Sequence, residues 1–356
     1  MSAFPVPESY IKAFAELGDI LRLASKSINT NDIGFSVKYP ELHQSVQTAS
    51  QHNPWFTPAS IAMAFDAWGQ ILTEENISKW LNSYNLPKGL KAKKIAVVMA
   101  GNIPIVGFHD FICVLLTGHY FIGKLSANDR YLLPALAEVL CQSEPEFRSK
   151  IQFTENTLKD FDAIIATGSN NTARYFEYYF AKYPHIIRKN RNGVAVLSGH
   201  EDEKALKSFG TDICAYFGLG CRNVSKVFIP VGFAPEKLFD AIEPYKAELI
   251  DHYKYMNNYS YHRSILLLNQ TPYLDNGVFI LTESQNYASP IAVLNYEFYE
   301  DLNTLKAKLQ QDSEFIQCIA TDAFEGEKTV KSGETQRPGL GDYADGIDTM
   351  KFLLEQ

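Results

Sequence analysis

The chain has 356 residues, of which 46% are apolar and 13% aromatic, so it can bury a large core and is longer than one core usually needs. The net charge of −8 is modest, and the basic residues form no stripe, which argues against nucleic acid as a partner. No uncharged run approaches the roughly 18 residues of a membrane span, and the N-terminus lacks a basic region before an apolar run. We therefore expect two lobes, a cytoplasmic location and no membrane span.

The first ninety residues are predicted to form a helical segment. Apolar residues recur at helical spacing between Ile11 and Ala24, and Thr57-Pro58 supplies a capping hydroxyl and a first-turn proline for a later helix. Residues 28–54, between these helices, are polar and are predicted to be irregular. Pro87-Lys88-Gly89 predicts a boundary near residue 90.

From residue 94 the pattern changes to apolar runs of strand length that alternate with helical segments. This spacing predicts a parallel sheet covered on both faces. The expected strands are 94–99, 120–125, 151–153 and 162–166, and the expected helices are 104–116, 131–141 and 171–181. Ligands of such sheets lie at the carboxyl ends of the strands, so we expect Ala100–Asn102, Lys124–Ser126 and Thr167–Ser169 to line one crevice.

A second series of strands and helices begins at Val194. The expected strands are 194–197, 227–230, 278–281, 291–296 and 316–320, and the expected helices are 202–217 and 235–247. The glycine-rich and charged residues that follow are predicted to be a loop that crosses back over the first lobe. The predicted parts are 1–90 (helical segment), 91–193 (first lobe), 194–324 (second lobe) and 325–356 (C-terminal segment).

Cys221 differs from the other cysteines in its neighbours. Gly218 and Gly220 precede it and leave the backbone free to approach a ligand, and Arg222 and Lys226 are cations that favour a thiolate. The other four lie in apolar runs and are predicted to fill the core: Cys113, Cys141, Cys214 and Cys318. An odd number without CxxC or Cys-His spacing argues against disulfides or a zinc site. Cys221 is therefore the candidate nucleophile, and an inert cysteine in a tight loop is the alternative.

Three segments carry a family resemblance: Arg188–Glu201, Tyr216–Ser225 and Pro338–Met350. With an Asn after the first strand, a Lys after the second and a Gly-Ser turn after a later one, the chain resembles the aldehyde dehydrogenase superfamily. Within it, the three segments resemble the acyl-CoA reductase family typified by the LuxC-type fatty-acid reductase of bacterial luminescence. The resemblance covers about residue 90 to the C-terminus. It implies an α/β, aldehyde dehydrogenase-like fold with two doubly wound parallel-sheet lobes, of which 91–193 binds nucleotide and 194–324 carries the nucleophile.

The resemblance also implies a reaction. Cys221 would attack the thioester of an acyl-CoA or acyl-protein, and reduction of the acyl-cysteine by NADPH would release a long-chain aldehyde. Asn102 matches the oxyanion-hole asparagine of the superfamily, with a helix cap before Pro104 as the alternative. His200 is a candidate proton donor, with a capping role ahead of the helix at Asp202 as the alternative.

The cofactor residues implied by the resemblance follow the strands of the first lobe. Lys124 matches the lysine that contacts the adenosine ribose, with a solvated lysine as the alternative, and Ser126 lies in the same turn. Ala127 stands where many NAD-linked members have a carboxylate, and Arg130 is near enough in sequence to pair with a 2′-phosphate. NADPH is therefore favoured over NADH. Three further residues fit a phosphate-binding turn: Thr167, Gly168 and Ser169.

One departure from the superfamily affects the expected direction of the reaction. Oxidative members carry a glutamate general base in a Glu-Leu-Gly-Gly pattern, and the nearest match here is Val196–Gly199. Without that base the thioester should survive until hydride or another thiol removes it, which favours reduction. The alternatives are an oxidative aldehyde dehydrogenase of the same fold and a non-reducing acyl-carrier or acyltransferase subunit. The family further implies an acyl-protein synthetase or transferase partner, and a homo-oligomer stays open.

Two weaker clusters complete the candidates. Three carboxylates near the C-terminus suggest a metal, but no matching ligand set accompanies them, so solvated loop residues are expected: Asp342, Asp345 and Asp348. Five aromatic residues suggest an acyl channel, with packing in the core or an interface as the more frequent alternative: Tyr253, Tyr255, Tyr259, Tyr261 and His262. No metal is predicted.

Overall fold

A computed structural model of the chain describes residues 6–30, 32–86 and 91–356, apart from the side chain of Asn29. These residues form two compact units. The first unit contains the residues up to Lys189 together with Gly339–Gln356, and the second contains Asn190–Pro338. The boundary expected near residue 90 lies outside the described residues, and the four-part division of the chain stays a prediction.

Helices occupy the N-terminal part of the first unit. They are α1 (Glu8–Thr30), α2 (Ile33–Lys38), α3 (Pro40–His52), α4 (Pro58–Ile71) and α5 (Glu74–Asn82). Thr57 caps α4 as predicted, since its side chain accepts the Ser60 N–H at 3.1 Å. The prediction that residues 28–54 are irregular was wrong, because a cap from Asp32 and a first-turn Pro40 start two helices there. Within the described part of the chain, no helix is both long and apolar enough to cross a membrane.

A parallel sheet of five strands forms the centre of the first unit. Its strands are β1 (Lys94–Val98), β2 (Tyr120–Lys124), β3 (Ile151–Thr154), β4 (Ala163–Thr167) and β5 (His185–Arg188), in the spatial order β3-β2-β1-β4-β5. Its helices are α6 (Phe108–Leu116), α7 (Leu132–Ser143) and α8 (Asn170–Phe180). Val98 lies opposite Lys124 and Ala166, so the carboxyl ends of β1, β2 and β4 are level. The strand order reverses between β1 and β4, which is where doubly wound sheets bind ligands.

A sheet of seven strands forms the centre of the second unit. Its strands are β6 (Asn192–Val196), β7 (Val224–Pro230), β8 (Leu274–Asp275), β9 (Ile280–Glu283), β10 (Val293–Tyr299), β11 (Ile316–Ala320) and β12 (Thr329–Val330), in the order β12-β11-β6-β7-β10-β9-β8. All neighbours are parallel except β8 and β9, so the parallel sheet expected here has one short antiparallel edge strand. Its helices are α9 (Glu203–Cys214), α10 (Phe239–Ile242), α11 (Lys246–Asp251), α12 (Tyr253–Leu268) and α13 (Leu302–Gln311). The helix expected over 235–247 is divided near Pro244 into short pieces.

The last residues of the chain complete the first unit. Helix α14 (Thr349–Leu354) packs against α6, and its Met350 and Leu353 are fully buried. Arg188, at the end of β5, donates to both carboxylate oxygens of Asp110 on α6 at 2.6 and 2.8 Å and to Thr349 Oγ1 at 2.8 Å. Both charged side chains are buried, so the loss of either partner would leave an uncompensated charge in the core.

Candidate active site

Loops at the carboxyl ends of β1, β2 and β4 form one edge of the first sheet, which we term the strand-end edge (residues 100–105, 124–130 and 167–169). The loops after β1 and β2 touch at Gly101. A Cβ atom on Gly101 would lie 2.5 Å from Ser126 Oγ and 2.7 Å from Ser126 Cβ, so only glycine permits this approach. The structure thus brings together two of the three segments expected at this edge.

Asn102 lies in a bend directly after Gly101, and its side chain is exposed. The helix expected from Pro104 begins only at Phe108, and its N-cap residue is Gly107. Asn102 therefore does not cap α6, which was the alternative role considered for it. An exposed side-chain amide at this edge can donate hydrogen bonds to a ligand oxygen.

Asp129 connects the same two loops and was not identified from the sequence. Its Oδ2 accepts the backbone N–H of Ile105 at 2.7 Å, and Ile105 has a φ of 52°, which a β-branched residue rarely adopts. Asp129 also forms an isolated antiparallel bridge with Ser126. Burial raises the pKa of Asp129 to about 6, although the Ile105 N–H favours the charged form. No local pattern marks this residue, since its role depends on a contact 24 residues away.

Lys124 and Arg130 flank the loop after β2. Lys124 is half-buried at the end of the strand, and Arg130 Nε donates to Ala127 O at 3.4 Å. The guanidinium of Arg130 also lies 3.5 Å from Glu155, which follows the neighbouring strand β3. Ala127 supplies no carboxylate here, but Glu155, which was not identified from the sequence, lies beside Arg130. A surface pair of this kind contributes about 0–1 kcal/mol, so Arg130 can exchange Glu155 for another anion.

The turn after β4 leads directly into α8. Ser169 caps this helix, because its Oγ accepts the Thr172 N–H at 3.3 Å. A Cβ on Gly168 would meet Thr172 at 3.0 Å and Phe176 at 3.1 Å, so the turn lies close against the helix. The positive end of the α8 dipole is therefore at the strand-end edge, where it favours an anionic ligand.

Cys221 lies in the second unit, in a turn between α9 and β7. The Asn223 N–H donates to Gly220 O at 3.0 Å and closes the segment Gly220–Asn223, which we term the Cys221 turn. Cys221 is exposed, and the prediction that the other cysteines are buried is confirmed: Cys113, Cys141, Cys214 and Cys318. Among the cysteines, only the thiol of Cys221 is accessible to a substrate.

Strained backbone precedes the Cys221 turn, where the predicted helix 202–217 ends early at Cys214. Tyr216, Phe217 and Gly218 have φ values of 50°, 57° and 78°. Left-handed backbone costs about 1–2 kcal/mol for each non-glycine residue, so two of these residues need compensation from elsewhere. Strain of this kind is concentrated at functional sites.

The two cations near Cys221 are engaged elsewhere in the second unit. Arg222 Nε donates to Thr335 O at 2.5 Å. Lys226 is fully buried, where it is paired with Glu297 and lies 4.8 Å from the centre of the Phe228 ring. The expectation that Lys226 favours a Cys221 thiolate was therefore wrong, because the Glu297 carboxylate already balances its charge.

The segment after β6 has a capping arrangement. Glu201 accepts hydrogen bonds from Ser198 N at 2.5 Å, Ser198 Oγ at 2.8 Å and Gly199 N at 3.0 Å. Val196, which ends β6, is buried in the core, and the His200 ring is exposed. Glu201 therefore organises this loop, whereas the N-cap of α9 is Asp202, whose Oδ1 accepts the Ala205 N–H at 2.7 Å. The helix-capping role considered for His200 is thus filled by Asp202, and the proton-donor role of His200 stays a prediction.

The weaker clusters have local structural roles. Each carboxylate near the C-terminus accepts a backbone N–H: Asp342 from Gly339, Asp345 from Lys189 and Asp348 from Lys351. The described residues contain no group of three or more His, Cys, Asp or Glu side chains that could hold a metal. On α12, Tyr255 and Tyr259 are buried whereas Tyr253 and Tyr261 are about 60% exposed, so these rings do not share one surface.

Comparison with protein families gives a match in the part of the chain that carries the site. Residues 77–234 match the sequence model of a family described as "Acyl-CoA reductase (LuxC)". The match contains the loops after β1, β2 and β4 and the Cys221 turn. A search among curated proteins gives no significant match.

Solved structures that are similar in fold include aldehyde dehydrogenases. Aldehyde dehydrogenase 21 from Physcomitrella patens, in complex with succinate, has a TM-score of 0.61 at 10% identity and covers 97% of this chain and 87% of its own. An indole-3-acetaldehyde dehydrogenase in complex with NAD⁺ has a TM-score of 0.59 at 11% identity, with 90% and 77% covered. An aldehyde dehydrogenase of Mycobacterium tuberculosis in complex with NAD⁺ has a TM-score of 0.53 at 13% identity, with 82% and 70% covered.

These similarities confirm the aldehyde dehydrogenase-like α/β fold that the resemblance implied. The family match and the fold together support an oxidoreductase activity of the aldehyde or acyl reductase type. Residues 77–234 match the acyl-CoA reductase (LuxC) family, and the family resemblance seen in the sequence is confirmed.

Proposed function

We propose that the protein is an NADPH-dependent reductase that converts a long-chain acyl-CoA or acyl-protein thioester to a fatty aldehyde. One observation carries the proposal: the single exposed cysteine lies in a constrained turn inside the region that matches the acyl-CoA reductase family. A nucleophile needs accessibility and a fixed geometry, and a cysteine that only fills space needs neither.

In the proposed reaction the Cys221 thiolate attacks the thioester carbonyl carbon. The tetrahedral adduct expels the CoA or carrier thiolate, which takes up a proton, and leaves an acyl-Cys221 thioester. That carbonyl then accepts a hydride, and the second adduct expels the Cys221 thiolate and releases the aldehyde. The reduced nicotinamide, when bound, supplies the hydride.

Both adducts carry a negative oxygen that must be stabilised. We assign this role to the exposed side-chain amide of Asn102 and to the backbone N–H of Cys221. His200, which is exposed, is the proposed donor of the proton that the expelled CoA or carrier thiolate takes up. Val196 and Leu197, in the segment closest to the Glu-Leu-Gly-Gly pattern, supply no general base, and the carboxylate of Glu201 is held by Ser198 and Gly199. Hydrolysis of the acyl-enzyme is therefore disfavoured relative to reduction.

The strand-end edge fits a dinucleotide. The close approach at Gly168 and the N-terminus of α8 suit the phosphates, and Thr167 and Ser169 lie in the same turn. Lys124 and Ser126 would hold the adenosine ribose, and Arg130 would pair with the 2′-phosphate of NADPH. Glu155 opposes that phosphate, so an exchange of partners at Arg130 is part of the proposal.

The first experiment combines a long-chain acyl-CoA with NADPH and measures NADPH oxidation and aldehyde formation. We expect turnover by the unchanged protein, none by Cys221→Ala, and near-normal turnover by Cys141→Ala, which removes a buried thiol of the first unit. Full activity of the Cys221 variant, or no NADPH oxidation by the unchanged protein, would overturn the proposal.

The cofactor preference has its own test, because Glu155 also suits the ribose hydroxyls of NADH. Arg130→Ala should weaken NADPH binding by about 10-fold or more, as expected for a hydrogen bond to a charged group, and leave NADH binding nearly unchanged. Glu155→Gln should tighten NADPH binding. Equal effects of Arg130→Ala on both cofactors would contradict the preference for NADPH.

Two further outcomes distinguish the alternatives. An oxidative enzyme would consume aldehyde with NADP⁺ and free CoA faster than it runs in reverse. A non-reducing carrier would form acyl-Cys221 but would not bind NADPH at micromolar concentration. An acyl-activating partner subunit and a cytoplasmic location belong to the same proposal, and co-purification and cell fractionation test them.

A further inference from the structure

Asn223, two residues after Cys221, is 3% exposed and bonds several backbone groups at once. Its Oδ1 accepts the Gly220 N–H at 2.8 Å. Its Nδ2 donates to three carbonyl oxygens: Asp212 O at 3.2 Å, Ile213 O at 3.3 Å and Ala215 O at 2.8 Å. The backbone N–H of Asn223 also donates to Gly220 O and closes the Cys221 turn. Asn223 therefore makes hydrogen bonds with its backbone N–H and with both ends of its side-chain amide.

The partners of Asn223 lie on both sides of the strained segment. The three carbonyls belong to the end of α9, where helical hydrogen bonding leaves carbonyl groups unsatisfied, and Gly220 lies beyond the left-handed residues 216–218. Asn223 therefore fixes the distance that the strained segment spans. Loss of this side chain would remove the direct connection between the turn and the end of α9.

A second connection fixes the other side of the turn. The buried carboxylate of Asp212 accepts the Gly333 N–H at 2.6 Å, the Thr335 N–H at 3.0 Å and Thr335 Oγ1 at 2.8 Å. Arg222 Nε donates to the carbonyl of the same threonine. The residues that follow Cys221 are thus connected to α9 twice, directly through Asn223 and indirectly through Thr335.

We propose that Asn223 is the positioning residue of the Cys221 nucleophile: it holds the Cys221 turn in one conformation so that the thiol approaches the acyl carbonyl along a fixed path. The inference rests on the proposed function, in which Cys221 attacks a thioester. Loss of this orientation slows a reaction that requires a defined approach to a bound substrate. A small alkylating reagent that reaches the thiol from solvent does not require it.

The test compares Asn223→Ala with Asn295→Ala. Asn295 is buried to a similar extent in the same unit, and its side chain bonds Thr282, Asn286 and Ala288, so its loss has a similar cost in stability. Two rates are measured for each protein. The first is the acylation of Cys221 by acyl-CoA without NADPH, which is detected as the release of CoA. The second is the alkylation of Cys221 by iodoacetamide, which is detected by mass spectrometry.

Asn223→Ala should slow the maximal acylation rate by about 10- to 100-fold while alkylation changes by less than about 3-fold. The acyl-CoA concentration that gives half of the maximal acylation rate should stay nearly constant. Asn295→Ala should change neither rate. If Asn223→Ala does not fold, Asn223→Ser, whose hydroxyl can bond one of the partners, should fold and show an intermediate acylation rate. Equal acylation by the Asn223 variants and the Asn295 control overturns the inference. Absence of acylation in the unchanged protein overturns the proposed function itself.

Discussion

The strand-end edge and the Cys221 turn are held in place by different kinds of interaction. At the strand-end edge the residues follow three neighbouring strands, so the hydrogen bonds of the sheet place the loops. The Cys221 turn precedes its strand and depends on the side chains of Asn223, Asp212 and Arg222. Substitutions of exposed side chains at the edge should therefore act locally on binding or rate, whereas substitutions at the turn should act on conformation.

The largest effect is expected at the strand-end edge for Asn102→Ala. Loss of one oxyanion donor typically lowers kcat by about 10²- to 10³-fold, and the exposed position predicts little change in stability. The control is Asn128→Ala, which removes another exposed amide at the same edge. Steady-state kinetics and thermal unfolding measure the two properties. A similar kcat for Asn102→Ala and Asn128→Ala would show that Asn102 does not stabilise the oxyanion.

Asp129 should make the stability of the protein depend on pH. Burial raises its pKa to about 6, above the unfolded value of about 4, so the native state binds the proton more tightly. Stability from this group is present at low pH and is lost as pH rises through about 4 to 6, by about 3 kcal/mol in total. Asp129→Asn keeps an oxygen for the Ile105 N–H and removes this dependence.

Chemical denaturation at about pH 5 and about pH 7.5 measures the difference. The unchanged protein should lose about 1–2 kcal/mol more than Asp129→Asn between these two values. Parallel stability curves for the two proteins would show that Asp129 does not titrate in this range.

The smallest effect is expected for Gly218→Ala, in the strained segment directly before the Cys221 turn. Gly218 has a φ of 78° and space for a Cβ, since the nearest atom, Ile213 O, is 3.6 Å away. Backbone strain should therefore cost about 1–2 kcal/mol and slow acylation of Cys221. Gly232→Ala, with a φ of 92° and no atom within 4 Å, should cost the same stability without changing acylation. Equal acylation rates for Gly218→Ala and Gly232→Ala would show that the backbone conformation before the Cys221 turn does not affect the reaction of Cys221.

Local sequence patterns predicted four of the five strands of the first sheet and the edge to which their loops converge. The apolar runs before Asn102 and Lys124 have the length of buried strands, and each ends within one residue of the expected position. The strand β5 was missed because it has only four residues and both of its terminal residues, His185 and Arg188, are polar. Its Arg188 is buried only because Asp110, far away in sequence, neutralises it.

The sequence marked Cys221 as the candidate nucleophile but did not indicate which side chains fix the turn that contains it. Glycines beside a cysteine are a local signal, whereas the roles of Asn223 and Thr335 follow from hydrogen bonds that only the folded chain creates. The charge of Lys226 was misjudged for the same reason, since its partner Glu297 is 71 residues away. The error at residues 28–54 had a local cause. Their polar composition was interpreted as irregular structure, although Asp32 and Pro40 are local signals for the start of a helix.

The discontinuity of the first unit has a consequence for synthesis on the ribosome. The surface of α6 that Met350 and Leu353 cover is made early, and α14 is made only after the whole of Asn190–Pro338. At about 5–20 residues per second, synthesis of Asn190–Pro338 lasts roughly 7–30 s. During that time the second unit can fold completely while an apolar face of the first stays uncovered. Until α14 is made, the α6 surface that Met350 and Leu353 cover in the folded protein lacks that helix as a partner.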